Sequence, residues 1–168
     1  MRVFVTGGTG LLGNTILRQL TDRGDESVAL IRQTPEANVF DGIDAEFVCG
    51  DLLDEETIGE AIKSCDAVIH AAGHIHIGWR RLDESMRVNR DGTKVVVNAC
   101  LRHDCKLVHV GTVDTLAIGT RDAPSDETTP VDHAGGNIPC NYVVSKCAGV
   151  AEVQRGIEQG LRAVIVHP

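Results

Sequence analysis

The sequence predicts an α/β fold in which a parallel sheet carries helices on both faces, a doubly wound arrangement. Three observations predict it. Short apolar segments alternate with amphipathic helical segments along all 168 residues. A glycine-rich turn joins the first apolar segment to the first helical one. The polar candidate residues follow the carboxyl ends of the strands, where the crevice of such a sheet lies. Strands separated by helices pair in parallel through right-handed crossovers, and we expect the strand order 3-2-1-4-5-6.

The expected elements can be placed in order along the chain. The strands cover 2–5, 27–31, 46–49, 67–70, 106–110 and 162–166, and the helices cover 11–23, 55–64, 83–102 and 141–159. Gly24 is expected to end the first helix, and Asp54 to cap the second. Loops are expected over 32–42, around 74–79, and before the last helix. At this length one domain is the default.

The turn after the first strand places Gly7, Gly10 and Gly13 at a spacing of Gly-x-x-Gly-x-x-Gly. The commoner dinucleotide fingerprint is Gly-x-Gly-x-x-Gly, so this is a variant of it. Gly7 can adopt the positive φ of a tight turn, Gly10 lets a diphosphate approach the backbone, and Gly13 lets the helix pack closely on the strand. The amide groups and dipole of the first helical turn would hold the phosphate charge. The alternative is a structural turn that binds nothing.

Arg32 stands at the end of the second strand, where NAD-binding proteins place an acidic residue for the ribose hydroxyls. An arginine there can pair with a 2′-phosphate, which favours NADP over NAD. The alternative is an exposed arginine beside NAD. Asp51 and Leu52 follow the third strand, where the carboxylate can accept from an adenine amino group and the leucine can cover the ring. A helix-capping role for Asp51 is the alternative.

Tyr142 is the chain's single tyrosine, and Lys146 follows four residues later. On a helix these positions share a face, so a lysine ammonium can favour the phenolate and lower the tyrosine's pKa. The tyrosine could then exchange a proton with a substrate oxygen during hydride transfer. Thr112, at the end of the fifth strand, could orient that oxygen, with Thr115 and Ser145 as weaker alternatives. A surface Tyr–Lys pair and an ordinary loop threonine are the structural alternatives.

The net charge of −8 argues against a nucleic-acid partner and against an anionic membrane surface. No apolar run is long enough for a transmembrane helix, and no leader precedes the first strand. None of the six cysteines forms a Cys-x-x-Cys pair, which is typical of reduced thiols in a cytoplasmic protein. His74 and His76 lack an apparent third ligand, so we expect no metal site.

Six motifs along the chain resemble the extended short-chain dehydrogenase/reductase family, in its NAD-dependent epimerase/dehydratase group. They are Val5–Gly13, Gly50–Leu52, His70–Gly73, Val88–Thr93, Asp126–Pro130 and Tyr142–Lys146. The nearest branch is the one that resembles dihydroflavonol reductases. The resemblance implies a Rossmann-type domain over 1–168, with a substrate-binding region beyond it. It also implies a homodimer through the helices at 83–102 and 141–159.

The resemblance assigns roles to individual residues. Tyr142 is implied as the catalytic acid/base, Lys146 as its pKa tuner and a ribose ligand, and Thr112 as the hydroxyl member of a triad. The cofactor-binding residues implied are Gly7, Gly10, Leu11, Leu12, Gly13, Arg32, Asp51, Leu52, Ala71, Ala72, Gly73, Tyr142 and Lys146. The family usually shows two hydroxyl residues at the end of the fifth strand, but here Gly111 precedes the threonine. The Val113-Asp114 pair that follows disfavours sugar dehydration.

Three functions remain open from the sequence. The first is an NADP-dependent oxidoreductase that acts on a carbonyl or secondary alcohol of a small molecule. The second is a nucleotide-sugar epimerase with tightly held NAD. The third is a dinucleotide-binding protein without catalysis. Exchange of the cofactor at each turnover would separate the first from the second, and the effect of Tyr142→Phe would separate both from the third.

Overall fold

Six parallel strands form a single sheet in the computed structural model, which describes residues 1–32, 38–131 and 140–168. The strands are β1 (Arg2–Thr6), β2 (Glu26–Ile31), β3 (Glu46–Cys49), β4 (Ala67–His70), β5 (Lys106–Val110) and β6 (Ala163–Val166). Their order is β3-β2-β1-β4-β5-β6, which confirms the predicted topology. The middle of the expected 32–42 loop and the end of the loop before residue 141 lie outside the described residues.

Five α-helices connect the strands: α1 (Leu11–Arg23), α2 (Glu55–Ile62), α3 (Leu82–Met86), α4 (Thr93–Arg102) and α5 (Asn141–Glu158). Gly24 ends α1 in the left-handed conformation at φ 70°, and its amide donates to the carbonyls of the last turn. The Asp54 carboxylate caps α2 by accepting from the amides of Glu56 and Thr57. Both predicted helix boundaries are therefore confirmed, each by a local device that the sequence carries.

The single helix expected over 83–102 is interrupted by a π-helical segment, Arg87–Gly92. The backbone stays helical throughout, because Met86 and Gly92 both have right-handed dihedral angles. Two glycines allow neighbouring parts of the chain to pack closely against this segment. A Cβ at Gly92 would lie 2.4 Å from a methyl of Leu52, and one at Gly149 of α5 would lie 2.4 Å from the Asn89 carbonyl oxygen. The predicted helix is thus correct in extent and wrong in its uniform α geometry.

Side chains that alternate along the central strands enter two different cores. Val3, Val5 and Ala29 pack with Leu17 and Leu20 of α1 on one face of the sheet. Phe4, Val28, Leu30, Val68 and Leu107 pack with residues of α2, α4 and α5 on the other face. Burial on both faces is the condition that a parallel sheet requires. No helix in the described ranges is both long and apolar enough to cross a membrane.

Candidate active site

The glycine turn is fixed by backbone packing. Gly7 has φ 79°, and a Cβ there would lie 2.7 Å from the carbonyl carbon of Ala71 and the amide nitrogen of Ala72. A Cβ at Gly13 would lie 2.2 Å from the Gly7 carbonyl oxygen. Both contacts are shorter than a side chain tolerates, so these two positions require glycine. The turn therefore packs directly on the residues after β4, and the positive φ predicted for Gly7 is confirmed.

Gly10 differs from the other two glycines because its surroundings are open. A Cβ there would meet only the Gly7 carbonyl oxygen, at 3.4 Å. Gly10 precedes α1, and no side chain caps the amides of its first turn. Leu11 and Leu12, which follow, are both exposed. The first turn of this helix therefore presents uncapped amides beside an open backbone, an arrangement that suits a diphosphate.

A hydrogen-bonded chain links the turn to the helices behind it. The Thr6 hydroxyl accepts from the Ala72 amide at 3.2 Å and bonds His70 Nδ1 at 2.7 Å. His70 Nε2 bonds the Thr93 hydroxyl at 3.0 Å. Burial lowers the pKa of His70 to about 3, so its ring is neutral and serves as a structural connector.

The adenosine end of the expected cofactor site is more open. Arg32 is exposed directly after β2, and its side chain makes no ion pair within the described part of the chain. Asp51 is also exposed, and its carboxylate accepts from the Leu53 amide at 2.9 Å. The capping alternative for Asp51 is wrong, because α2 is capped by Asp54. Both side chains therefore remain accessible to a ligand.

Leu52 departs from its expected role as a cover for adenine. Its side chain is buried in the main core and packs against Gly92 in the π-helical segment. A side chain committed to the core cannot also lie over a ligand ring. Gly92 has no Cβ, and the Leu52 side chain fills the space that this leaves.

The structure brings Thr112 and Tyr142 together at the carboxyl end of β5. The Thr112 side chain acts on the Tyr142 phenol, although the residues are thirty positions apart in sequence. The Thr112 hydroxyl also donates to the Asp114 carboxylate at 3.3 Å. Thr115, the weaker alternative, is buried and donates instead to the Thr112 carbonyl at 2.7 Å. Thr112 is therefore the threonine that reaches the tyrosine.

Lys146 lies one turn after Tyr142 on α5, and its side chain is buried. Its ammonium donates to the Val110 carbonyl oxygen at 2.5 Å, which anchors α5 to the end of β5. It makes no ion pair with a carboxylate among the described residues. Burial lowers the pKa of Lys146 to about 8, because the charged form loses its hydration.

The expected lowering of the tyrosine's pKa is wrong for this structure. The pKa of Tyr142 is raised above its usual value, first by burial; the Thr112 side chain acts in the opposite direction, and the Asp114 charge adds to the rise. The lysine charge is directed at the Val110 carbonyl instead. At neutral pH the phenol is thus protonated, which is the form that donates a proton.

Asn89 holds this side of the site together, although sequence reasoning assigned it no individual role. Its side-chain amide donates to the His74 carbonyl at 2.9 Å and to the Ser145 hydroxyl at 2.8 Å, and its oxygen accepts from the His74 amide at 2.7 Å. Ser145 in turn donates to the Tyr142 carbonyl at 2.9 Å. Ser145 is therefore bound to structural partners rather than free to orient a substrate. The signal in the sequence that could have identified Asn89 is its position within the motif Val88–Thr93.

His74 and His76 are stacked with a centroid separation of 6.3 Å. His74 Nδ1 bonds the Ser85 hydroxyl at 3.1 Å, and Nε2 lies 3.7 Å from the Glu84 carboxylate. Among the described residues, no group of three or more His, Cys, Asp or Glu side chains is arranged to hold a metal ion.

A sequence profile for the NAD-dependent epimerase/dehydratase family matches residues 3–168, almost the whole chain. The chain belongs to the NAD-dependent epimerase/dehydratase family. This confirms the resemblance to the extended short-chain dehydrogenases, and the described fold is the one its solved relatives share.

Relatives of this epimerase/dehydratase chain have several activities. A sterol-4-alpha-carboxylate 3-dehydrogenase (decarboxylating) of Dictyostelium discoideum is 35% identical over 108 residues, which cover 64% of the chain and 33% of that protein. A 4-hydroxy-2-methyl-3-oxo-4-farnesyl-3,4-dihydroquinoline-1-oxide ketoreductase of Stigmatella aurantiaca is 33% identical over 100% of the chain and 49% of its own length. The chain thus spans between a third and about half of the length of such curated relatives.

Two solved structures show the same likeness. The structure of gox2253 has a TM-score of 0.86 and 32% identity, over 99% of the chain and 50% of its own. The UDP-glucose 4-epimerase of Thermus thermophilus, solved in complex with NAD, has a TM-score of 0.80 and 25% identity, over 99% of the chain and 54% of its own.

Proposed function

We propose that the chain is the dinucleotide-binding part of an NADP-dependent oxidoreductase that interconverts a carbonyl and a secondary alcohol. The observation that carries this proposal is that the Thr112 side chain lies beside the Tyr142 phenol, with Lys146 buried one helical turn further along α5. A phenol, a hydroxyl and an ammonium are the groups that a proton exchange at a substrate oxygen requires. They lie at the carboxyl ends of the strands, where ligands bind in open α/β sheets.

The residues around the glycine turn fit a dinucleotide. The absent side chain at Gly10 leaves space at the backbone, and the uncapped amides of α1 supply hydrogen-bond donors and a favourable dipole for a diphosphate. Asp51 is placed to accept from an adenine amino group. Arg32 is placed to pair with a 2′-phosphate through its planar guanidinium, which favours NADP.

The dinucleotide supplies or accepts the hydride when it is bound. In the direction of reduction, Tyr142 donates its phenolic proton to the carbonyl oxygen as that oxygen becomes negative, and the product is the alcohol. Thr112 holds the same oxygen through its hydroxyl. The Lys146 ammonium, which donates to the Val110 carbonyl oxygen, would hold a ribose hydroxyl of the bound dinucleotide. With a lysine pKa of about 8, this interaction weakens as the pH rises above that value.

The proton-transfer proposal is tested with Tyr142→Phe. We expect kcat for ketone reduction to fall by a factor of about 10² or more, because general acid catalysis contributes on that scale. Affinity for NADPH should stay unchanged, measured by fluorescence titration. Val144→Ala, a change of a half-buried neighbour on the same helix, is the control that keeps turnover. Turnover retained by Tyr142→Phe would contradict the mechanism.

The cofactor preference is tested with Arg32→Ala. We expect NADPH affinity to fall about tenfold or more, since hydrogen bonds to charged groups contribute about 1.5–3 kcal/mol, while NADH affinity stays as it was. Arg23→Ala, an exposed arginine at the other end of α1, is the matched control. A protein that binds NADH more tightly than NADPH before any substitution would contradict the proposal and favour the epimerase alternative.

A further inference from the structure

The segment 74–80, which follows β4, is bonded at both ends to the helices that carry the site. At its start, Asn89 bonds both the amide and the carbonyl of His74. At its end, the Asn141 backbone amide donates to the Gly78 carbonyl at 2.9 Å, and the Asn141 side chain donates to the Arg80 carbonyl. Asn141 is the residue immediately before Tyr142, so the segment runs beside the candidate acid.

Three large apolar side chains on this segment are exposed. Ile75 is 70% exposed, Ile77 82% and Trp79 68%, whereas the residues between them are less exposed. Ile75 and Ile77 alternate with the less exposed His76, as in an extended chain, and Trp79 follows Gly78. We name Ile75, Ile77 and Trp79 the apolar strip. Contiguous exposed apolar surface of this kind marks a binding site more often than a free surface.

A second apolar surface follows Thr112 directly in the sequence. A cavity of about 350 Å³ starts at Val113, the residue after Thr112, and is also lined by Leu116, Ala117 and Ile118. The described residues that line it include one carboxylate, Asp114, and no basic side chain. A diphosphate would need cationic or amide partners there, so the lining disfavours a nucleotide sugar and favours hydrocarbon.

We infer that the apolar strip and this cavity hold the hydrocarbon body of the substrate, so that the proposed oxidoreductase acts on a bulky apolar ketone or alcohol. The inference rests on the proposed function and specifies its substrate class. The polar oxygen of such a molecule would lie at Thr112 and Tyr142, and its apolar part would cover Trp79 and the isoleucines. Removal of these side chains from water supplies the binding energy.

The first test measures kcat/KM with NADPH for methyl ketones of increasing alkyl length. We expect about a fourfold rise for each methylene that becomes buried. Ile77→Ser should flatten this rise and leave the shortest ketone unaffected. Ile157→Ser, at an exposed isoleucine near the far end of α5, is the matched control and should keep the full rise. Equal kcat/KM values along the series, with turnover intact, would overturn the inference while the proposed function stands.

The second test does not depend on turnover. Trp79 is the single tryptophan, so its emission reports directly on the apolar strip. In the Tyr142→Phe variant, a long-chain methyl ketone should shift this emission to the blue, and UDP-glucose should leave it unchanged. A shift without turnover in the unsubstituted protein would support the apolar site and contradict the proposed function. A shift caused by UDP-glucose and not by the ketone would overturn the inference.

Discussion

The two sides of the crevice are built by different means. On the cofactor side, the turn from Gly7 to Gly13 packs backbone against backbone, with side chains excluded by contacts as short as 2.2 Å. On the catalytic side, the geometry depends on side chains that bond across long sequence separations, such as Asn89 with Ser145 and Lys146 with Val110. The cofactor side is rigid because contacts between backbone atoms do not depend on side-chain rotamers. The catalytic side is specific because Asn89, Ser145 and Lys146 each bond particular partners.

This difference has a consequence for mutation. A change at Gly7 or Gly13 acts through steric overlap, so it should damage folding and dinucleotide binding together. A change on the catalytic side removes hydrogen bonds, so it should reduce turnover while dinucleotide binding persists. The first two of the following three substitutions test that separation, and the third tests the buried polar groups of the core.

The largest effect is expected from Gly13→Ala. The new Cβ would lie 2.2 Å from the Gly7 carbonyl oxygen, and backbone on both sides prevents an easy shift. We expect a loss of about 3 kcal/mol in the free energy of unfolding, at the upper end for overpacking, together with weaker dinucleotide binding. Urea denaturation measures the first and fluorescence titration the second. Gly10→Ala, whose Cβ meets a single atom at 3.4 Å, is the control and should lose binding with little loss of stability.

A smaller loss is expected from Asn89→Ala. The substitution leaves the His74 amide and carbonyl without their partner, and unsatisfied buried groups cost about 1–3 kcal/mol each. We expect a loss of about 2 kcal/mol in stability and a fall in kcat, with NADPH affinity preserved. Asn98→Ala, which removes one bond from Arg155, is the matched control. Equal losses of NADPH affinity and kcat would show that the two sides are not separable.

The smallest expected effect is a gain in stability, from His109→Phe in β5. His109 is buried with its ring 5.3 Å from that of His70, and neither of its nitrogens has a partner among the described residues. Because those unpaired nitrogens are costly to bury, we expect the phenylalanine variant to be about 1 kcal/mol more stable at neutral pH. Thermal and urea unfolding at pH 7 measure this. Lower stability would show that the ring nitrogens have a partner.

The His109→Phe variant also tests how the stability of the protein depends on pH. Burial lowers the pKa of His109 well below 6.5 and that of His70 to about 3. As the pH falls below 6.5 the unfolded chain therefore binds protons that the folded chain does not, so stability is lost toward acid. His109→Phe removes one of these groups, and its stability should decline less steeply between pH 6.5 and about pH 4. An unchanged slope would contradict the burial of a neutral ring at this position.

The sequence by itself determined the parts of this protein that depend on local chemistry. The alternation of apolar and amphipathic segments indicated the strands and helices, Gly24 and Asp54 indicated helix ends, and the spacing of Gly7, Gly10 and Gly13 identified the turn. Each of these follows from propensities and dihedral preferences that act within a few residues. The recognised motifs added the candidate pair of Tyr142 and Lys146.

Only the tertiary structure decided the remainder, because it depends on contacts between distant segments. Leu52 is buried since Gly92 leaves room for it, and the π-helical segment carries Asn89 to both His74 and Ser145. The direction of the Tyr142 pKa shift came from burial and from the Asp114 charge, which no spacing on one helix reveals. Long-range packing sets the local dielectric and the available partners, and these in turn set the chemistry of each side chain.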